Sequence, residues 1–224
     1  MQKLSLNVLI TGTSLGIGKA IAEYFLEKNC NVHGIDRLPS TIIDVRYHHH
    51  ICDVRYPELF PILPEMDIVI NNAGTQNEDD ININLKGTIN ITEKYAIQPR
   101  IKSVLNIGSA SAHTGAEFPE YSASKGGILA YTKNVGLRIA KYGATCNSLD
   151  PGGVITDLNK CILDDYNLWN QVMELTPLKK WSDTREMAEW AYFLTVINKS
   201  ATCQNFLVDN GEAANSTFIW KEEQ

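Results

Sequence analysis

Tyr121 and Lys125 stand four positions apart in a stretch of helical character, so both side chains fall on one helix face. A phenol ionises near ~10 in water and needs help to exchange a proton at neutral pH. An ammonium one turn away favours the phenolate. A tyrosine poised in this way suits general acid or base work on an alcohol/ketone couple. Small residues flank the pair (Ser122, Ala123, Ser124, Gly126, Gly127) and let a ligand or a second helix come close. Upstream, an apolar run ends in Asn106-Ile107-Gly108-Ser109. A serine at the carboxyl end of a central parallel strand sits at a ligand crevice, where its hydroxyl can bond a substrate oxygen. Ser111 is the rival for that task, and a plain turn serine is the competing account of both.

A second constellation lies near the amino terminus. The run Thr11-Gly12-Thr13-Ser14-Leu15-Gly16-Ile17-Gly18 follows an apolar strand and opens a helix, the context a dinucleotide fingerprint needs. Gly12 permits the tight turn, Gly16 lets the backbone approach a pyrophosphate, and Gly18 lets helix pack on strand. Around them, Ser14, Leu15 and Ile17 belong to a helix start whose amides and dipole favour phosphate. The spacing is GxxxGxG rather than GxGxxG. Asp36 ends the next apolar run and can accept bonds from both adenosine ribose hydroxyls while repelling an added phosphate. No Arg or Lys lies inside the glycine turn, and Arg37 is the one neighbour that softens the choice. NAD(H) is therefore expected over NADP(H).

These residues need a frame. Apolar runs at Leu6–Thr11, Val32–Asp36, Tyr47–Val54, Asp67–Asn71, Ser103–Gly108, Ala144–Leu149 and Asn205–Val208 read as strands. Segments with helical spacing at Ile17–Glu27, Ile81–Ile97, Tyr121–Lys141 and Thr184–Ile197 alternate with them. Strand–helix alternation predicts an α/β fold with a parallel sheet covered on both faces. Residues 1–224 read as a single domain. The stretch Thr156–Trp181, with two short helices expected, interrupts the alternation as a lid or specificity insert.

Composition narrows the function classes. The chain has 224 residues, 44% hydrophobic and 21% charged, and carries a net charge of −6. That is the make-up of a soluble globular protein, and it lacks the overall basic charge of a nucleic-acid binder. No apolar run approaches the ~20 residues of a membrane span, and the amino terminus runs into the glycine turn rather than a cleavage site. Five scattered cysteines without a CxxC pair fit a reducing cytoplasm. His48, His49 and His50 alternate between strand faces, so no metal site is expected there. His113 is weighed as a substrate contact, Trp169 and Trp181 as helix packing, Glu117, Phe118 and Glu120 as rim residues, and Glu222–Gln224 as a solvated tail.

Taken in order, TGTSLGIG, Asp36, Asp53-Val54, Asn71-Asn72-Ala73-Gly74, Asn84, Ser109, Tyr121-Ser122-Ala123-Ser124-Lys125 and Pro151-Gly152 resemble the short-chain dehydrogenase/reductase family in its single-domain form. The resemblance spans Leu6 to about Ala213. It implies a Rossmann-type, doubly wound, mostly parallel seven-stranded sheet, and hydride transfer between a nicotinamide and an alcohol or carbonyl. It implies Tyr121 as the acid/base, Lys125 as the group that lowers its pKa and holds the nicotinamide ribose, and Ser109 as the group that polarises the substrate oxygen. Asn84 matches the residue that positions a relay water. Asp53 and Val54 match the adenine contacts, Asn72, Ala73 and Gly74 the adenosine side, and Pro151, Gly152, Val154 and Thr156 the nicotinamide carboxamide segment. A homodimer or homotetramer built on the helices Ile81–Ile97 and Tyr121–Lys141 is also implied.

The departures from the family pattern are informative. Nine residues lie between Gly74 and Asn84, where the family has a longer wall of the substrate cleft. The stretch from Asp36 to Asp53 is short and should hold little or no helix. A trimmed wall leaves either an open cleft or one closed by Thr156–Trp181 alone. It also motivates a second reading, a nicotinamide-dinucleotide-binding sensor or scaffold with little turnover, against which the complete Asn, Ser, Tyr and Lys set argues.

Overall fold

The computed structural model describes residues 5–116 and 118–214. Glu117 and the acidic tail lie outside the described residues. Seven short strands form one sheet: β1 (Asn7–Thr11), β2 (Asn31–Asp36), β3 (Tyr47–Ile51), β4 (Ile68–Asn71), β5 (Ser103–Ile107), β6 (Thr145–Pro151) and β7 (Asn205–Val208). Their order is β3-β2-β1-β4-β5-β6-β7, and every pairing is parallel. The order reverses between β1 and β4. In sheets of this kind that reversal opens the crevice at the strands' carboxyl ends.

Alternating side chains build two cores, because successive residues of a strand point to opposite faces. On one face Val8, Ile10, Ile68, Ile70, Leu105 and Leu149 pack beneath α1 (Gly16–Glu27) and α7 (Thr184–Tyr192). On the other, Leu9, Ile35, Val69, Val104 and Cys146 pack beneath α2 (Gly87–Tyr95) and α4 (Pro119–Ile139). The remaining helices are the short α3 (Ser111–Thr114) and, in the insert, α5 (Lys160–Leu163) and α6 (Tyr166–Leu175). Asp183 caps α7 through a reciprocal capping box with Glu186.

Two expectations shift. The third strand stops at Ile51, not Val54, because Asp53 turns the chain by accepting from the Arg55 backbone. The helix expected over Ile81–Ile97 opens as a wide π-helical turn, Ile81–Lys86, before tightening into α2. The crossover from Arg37 to Arg46 holds no helix, as its length predicts, and the next one holds only the turn Pro57–Leu59. The β3 edge is thus thinly covered, and His33, His48 and His50 stack there on one face, with His33 Nδ1 3.3 Å from His50 Nε2.

Among the described residues no helix is long and apolar enough to cross a membrane, and no cluster of three His, Cys, Asp or Glu side chains could hold a metal ion. Cys30, Cys52 and Cys146 are buried free thiols, whereas Cys161 is exposed.

Candidate active site

A cavity of about 880 Å³ opens at the carboxyl ends of the central strands. Its floor is the glycine turn. Gly12 has φ +74, and a Cβ there would meet Asn72 Nδ2 at 2.7 Å and the Ala73 Cα at 2.9 Å. The ends of β1 and β4 therefore touch only because position 12 is glycine. Gly18 packs so closely on the Gly12 carbonyl that a side chain would collide with it, which is the helix-on-strand contact expected of it. Leu15 precedes α1 without a side-chain cap, and Leu15, Gly16 and Ile17 line the cavity. Uncapped amides and the positive helix end face the space, the arrangement that suits a phosphate.

Asp36 sits at the rim of this floor. Its Oδ2 accepts the Ser14 amide and its Oδ1 the Leu38 amide, each at 2.9 Å. Ser14 is buried and does not line the cavity, and its hydroxyl donates to the Leu38 carbonyl at 2.9 Å. Its amide and hydroxyl together fix the Asp36–Leu38 turn. Asp53 and Val54 also line the cavity, and the Arg55 guanidinium beside Asp53 holds its carboxyl below the usual range. Asn72, Ala73 and Gly74 complete this side, with the Asn72 and Ala73 amides both donating to Thr11 Oγ1 at 3.0 Å.

The chemistry-bearing residues converge at the other end. Tyr121 lies in the first turn of α4 and Lys125 one turn later, with the Lys125 ammonium 5.7 Å from the Tyr121 ring centre. Lys125 Nζ donates to the Ile107 carbonyl at 2.9 Å, and burial pulls its pKa down from the ordinary 10.5 to about 8. Ser109 and Ser111 both reach the cavity wall. The Ser111 amide donates to Ser109 Oγ at 3.1 Å, which orients the Ser109 hydroxyl and leaves its proton available.

Asn84 does not line the cavity. It is fully buried in the π-helical turn, where Oδ1 accepts the Thr75 amide at 2.8 Å. Its Nδ2 donates to the Thr75 carbonyl at 3.0 Å and to Ser124 Oγ at 3.1 Å. Ser124 Oγ in turn donates to the Tyr121 carbonyl at 2.7 Å. Asn84 thus clamps the shortened loop to the first turn of α4.

Pro151, Gly152, Val154 and Thr156 line the far wall. The cavity is walled from two sides, by the short loop as well as by the insert. Thr75, Gln76 and Glu78 line it from the short loop, and Leu158, Ile162, Val172 and Leu175 from the insert. Trp181, packed edge-on against Trp169 at 5.2 Å, also lines it.

Sequence reasoning missed Glu212. Its Oε1 accepts from Trp181 Nε1 at 2.7 Å and Thr176 Oγ1 at 3.2 Å, and its Oε2 accepts the Gly153 amide at 3.1 Å. One carboxylate therefore ties the last strand's turn to the insert and to the segment after β6. Its only sequence signal was an acidic residue just past the Asp209-Asn210-Gly211 turn. His113 likewise is not on the cavity wall; its ring turns inward onto Asp150 at 2.7 Å.

Residues 59–212 match the family profile described as enoyl-(acyl carrier protein) reductase. The chain belongs to the short-chain dehydrogenase/reductase family. It is 28% identical over 216 residues to a 3-oxoacyl-[acyl-carrier-protein] reductase FabG of Vibrio harveyi, an alignment covering 83% of this chain and 88% of the relative. Among solved structures it resembles 4-hydroxyisoleucine dehydrogenase complexed with NADH, with a TM-score of 0.85, 23% identity and coverage of 95% and 100% of the two chains. It also resembles a structure from Agrobacterium tumefaciens with bound NADP, with a TM-score of 0.81, 23% identity and coverage of 95% and 98%. The protein is an oxidoreductase enzyme of this hydride-transferring, nicotinamide-dinucleotide-binding family.

Proposed function

We propose that this enzyme interconverts an alcohol and a ketone or aldehyde with NAD(H), using Tyr121 as general acid and base. The observation that carries this reading is the meeting of Tyr121, Lys125 and Ser109 at one end of a cavity whose other end is an uncapped helix start and Asp36. The glycine turn fits a dinucleotide: Gly12, Leu15, Gly16 and Ile17 would hold its pyrophosphate, and Asp36 its adenosine ribose. Pro151, Gly152, Val154 and Thr156 would border its nicotinamide, with Lys125 on the ribose there. When bound, the nicotinamide supplies or accepts the hydride.

The chain's own residues do the rest. The Ser109 hydroxyl donates to the substrate oxygen and holds it beside Tyr121. In the reducing direction Tyr121 gives its phenolic proton to the oxygen as negative charge develops there. The Lys125 ammonium stabilises the phenolate that remains. Asn84 keeps Tyr121 in register through Ser124. In oxidation Tyr121 takes the proton back. Leu158, Ile162, Val172 and Leu175 offer the substrate an apolar wall, which suits a carbonyl next to a hydrocarbon chain.

NAD(H) is favoured because Asp36 is held by two backbone amides with its carboxylate at the cavity rim. A phosphate on the ribose would meet that carboxylate. Arg37 also lines the cavity, and relatives of this fold carry either cofactor. Association into a homodimer or homotetramer would use the outer faces of α2 and α4. There Glu93 joins Tyr131 at 3.0 Å and Arg138 Nη2 at 2.7 Å, and Leu137 is exposed. Gly127, one of the small residues flanking the pair, is used within the chain against Leu85, and Gly136 later in α4 against Cys203.

The test is turnover. The pure protein should bind NADH, followed by nicotinamide fluorescence, and should oxidise it with at least one member of a panel of aliphatic ketones and aldehydes. Binding without turnover across the panel, or tighter binding of NADPH than NADH, would count against the reading.

A further inference from the structure

Lys125 poses a problem of charge. It is buried, and among the described residues the one hydrogen bond it donates goes to a neutral carbonyl, that of Ile107. A buried ammonium without a counter-ion gives up its proton or destabilises the fold. Asp150 answers this. It follows Leu149, the partner of Ile107 across β5 and β6, so it enters the layer where Lys125 is anchored. Its side chain is completely buried and runs so close under Gly108 that any side chain there would strike Oδ1. Oδ2 bonds His113 Nε2 at 2.7 Å, whereas Oδ1 has no hydrogen-bond partner among the described residues. The His113 ring is 28% exposed and is the pair's opening to solvent.

We propose that Asp150 and His113 form a positioning pair that acts as the counter-ion of Lys125 and keeps its ammonium charged beneath Tyr121. The proposal deepens the reading of Lys125 given above and rests on it. Four ionisable groups surround Lys125 and its partner. Tyr121 lies on the same helix, Asp150 on β6 and Asp80 at the start of the π-helical turn, while His113 acts from α3 through Asp150. Asp150 is the strongest charge opposing the effect of burial on Lys125, and Asp80 is second. Burial in turn raises the Asp150 carboxyl, and the bond from His113 is the largest influence pulling it back toward the carboxylate. The exposed imidazole therefore supports the buried carboxylate, and the carboxylate supports the ammonium. The signal for this was one acidic residue closing the otherwise uncharged strand Thr145–Pro151.

The experiment is a pH titration of protein isotopically labelled at the lysine ε-carbon, read by NMR, with the Lys125 resonance assigned by its loss in Lys125→Met. Wild type should titrate near about 8. Asp150→Asn should lower the midpoint by about one pH unit. His113→Phe, which removes the donor to Asp150, should lower it by less. His113→Gln, which keeps a neutral donor, should fall between His113→Phe and wild type. Asp80→Asn should have a smaller effect than Asp150→Asn. An unmoved midpoint in Asp150→Asn or in His113→Phe overturns the proposal, as does a larger drop in Asp80→Asn. If Asp150→Asn does not fold, His113→Phe decides alone, because its ring is partly at the surface. The readout needs no substrate. A wild-type protein inactive on every carbonyl would sink the proposed function while leaving this titration to be judged separately.

Discussion

Ser14 donates its backbone N–H to Asp36 across the mouth of the glycine turn, at 2.9 Å. With the Leu38 amide on the other oxygen, the carboxylate cannot swing away from an incoming ribose. Asp36→Ala should therefore lower the preference for NADH over NADPH at least about tenfold, since it removes both the ribose acceptor and the repulsion of the phosphate. The ratio of dissociation constants from fluorescence titration checks this, and an unchanged ratio would mean Asp36 does not meet the ribose.

Tyr121→Phe keeps the ring and its packing and removes only the phenolic oxygen. Turnover should fall by about a hundredfold to ten-thousandfold, the range for loss of a general acid. NADH affinity should stay within about twofold, because Lys125 and the glycine turn are intact. Steady-state rates and a titration on the same preparation separate the two effects.

Lys125 makes stability depend on pH in a direction opposite to most ion pairs. Its folded pKa, about 8, lies below its ordinary 10.5, so between those values the unfolded chain binds more protons than the folded one. Stability from this group should rise as pH increases through that window. Below it the net cost of the buried charge remains, of the order of 3 kcal/mol. Lys125→Met removes that cost but strips the buried Asp150 carboxylate of its counter-ion, so it should be less stable than wild type at pH 7, by about 3 kcal/mol, and inactive. Urea unfolding at pH 7 and pH 9 measures both the loss and the vanished slope. A variant more stable at neutral pH would contradict this account.

Glu212→Ala would leave the Trp181 indole, the Thr176 hydroxyl and the Gly153 amide without their acceptor. The expected cost is about 1–3 kcal/mol in unfolding free energy. Cofactor affinity should drop by about tenfold, because the Pro151–Gly153 segment loses its anchor while Asp36 and the glycine turn keep theirs. Glu212→Gln, which retains one carbonyl acceptor, should recover part of both losses. Thermal melting alongside NADH titration tests the ordering.

Much of this architecture could be read from residue order because its signals are local. The apolar runs at Val8–Ile10 and Ile68–Ile70 can only be buried strands, and the glycine spacing fixes where β1 must yield to α1. What stayed hidden depends on partners distant in the chain. Asn84 sits in a π-helical turn because its amide must reach both Thr75 and Ser124, and no periodicity announces that. The four-residue helix α3 is too short to show a period, so His113 read as a loop residue above the cavity rather than a group turned onto Asp150. Ser14 lies within the fingerprint, yet only the fold shows its amide given to Asp36 and its hydroxyl to the Leu38 carbonyl.

The fastening made by Glu212 also sets a timetable. Tyr121, Lys125, Ser109 and the whole glycine turn emerge from the ribosome well before residue 212. Until that carboxylate arrives, the Gly153 amide and the Trp181 indole lack their shared acceptor, and the Val154–Ser182 bridge joins the two segments without it. A nascent chain can thus hold every reactive side chain and still lack a finished pocket. The residue that fastens this wall is thus among the last of the pocket to be made.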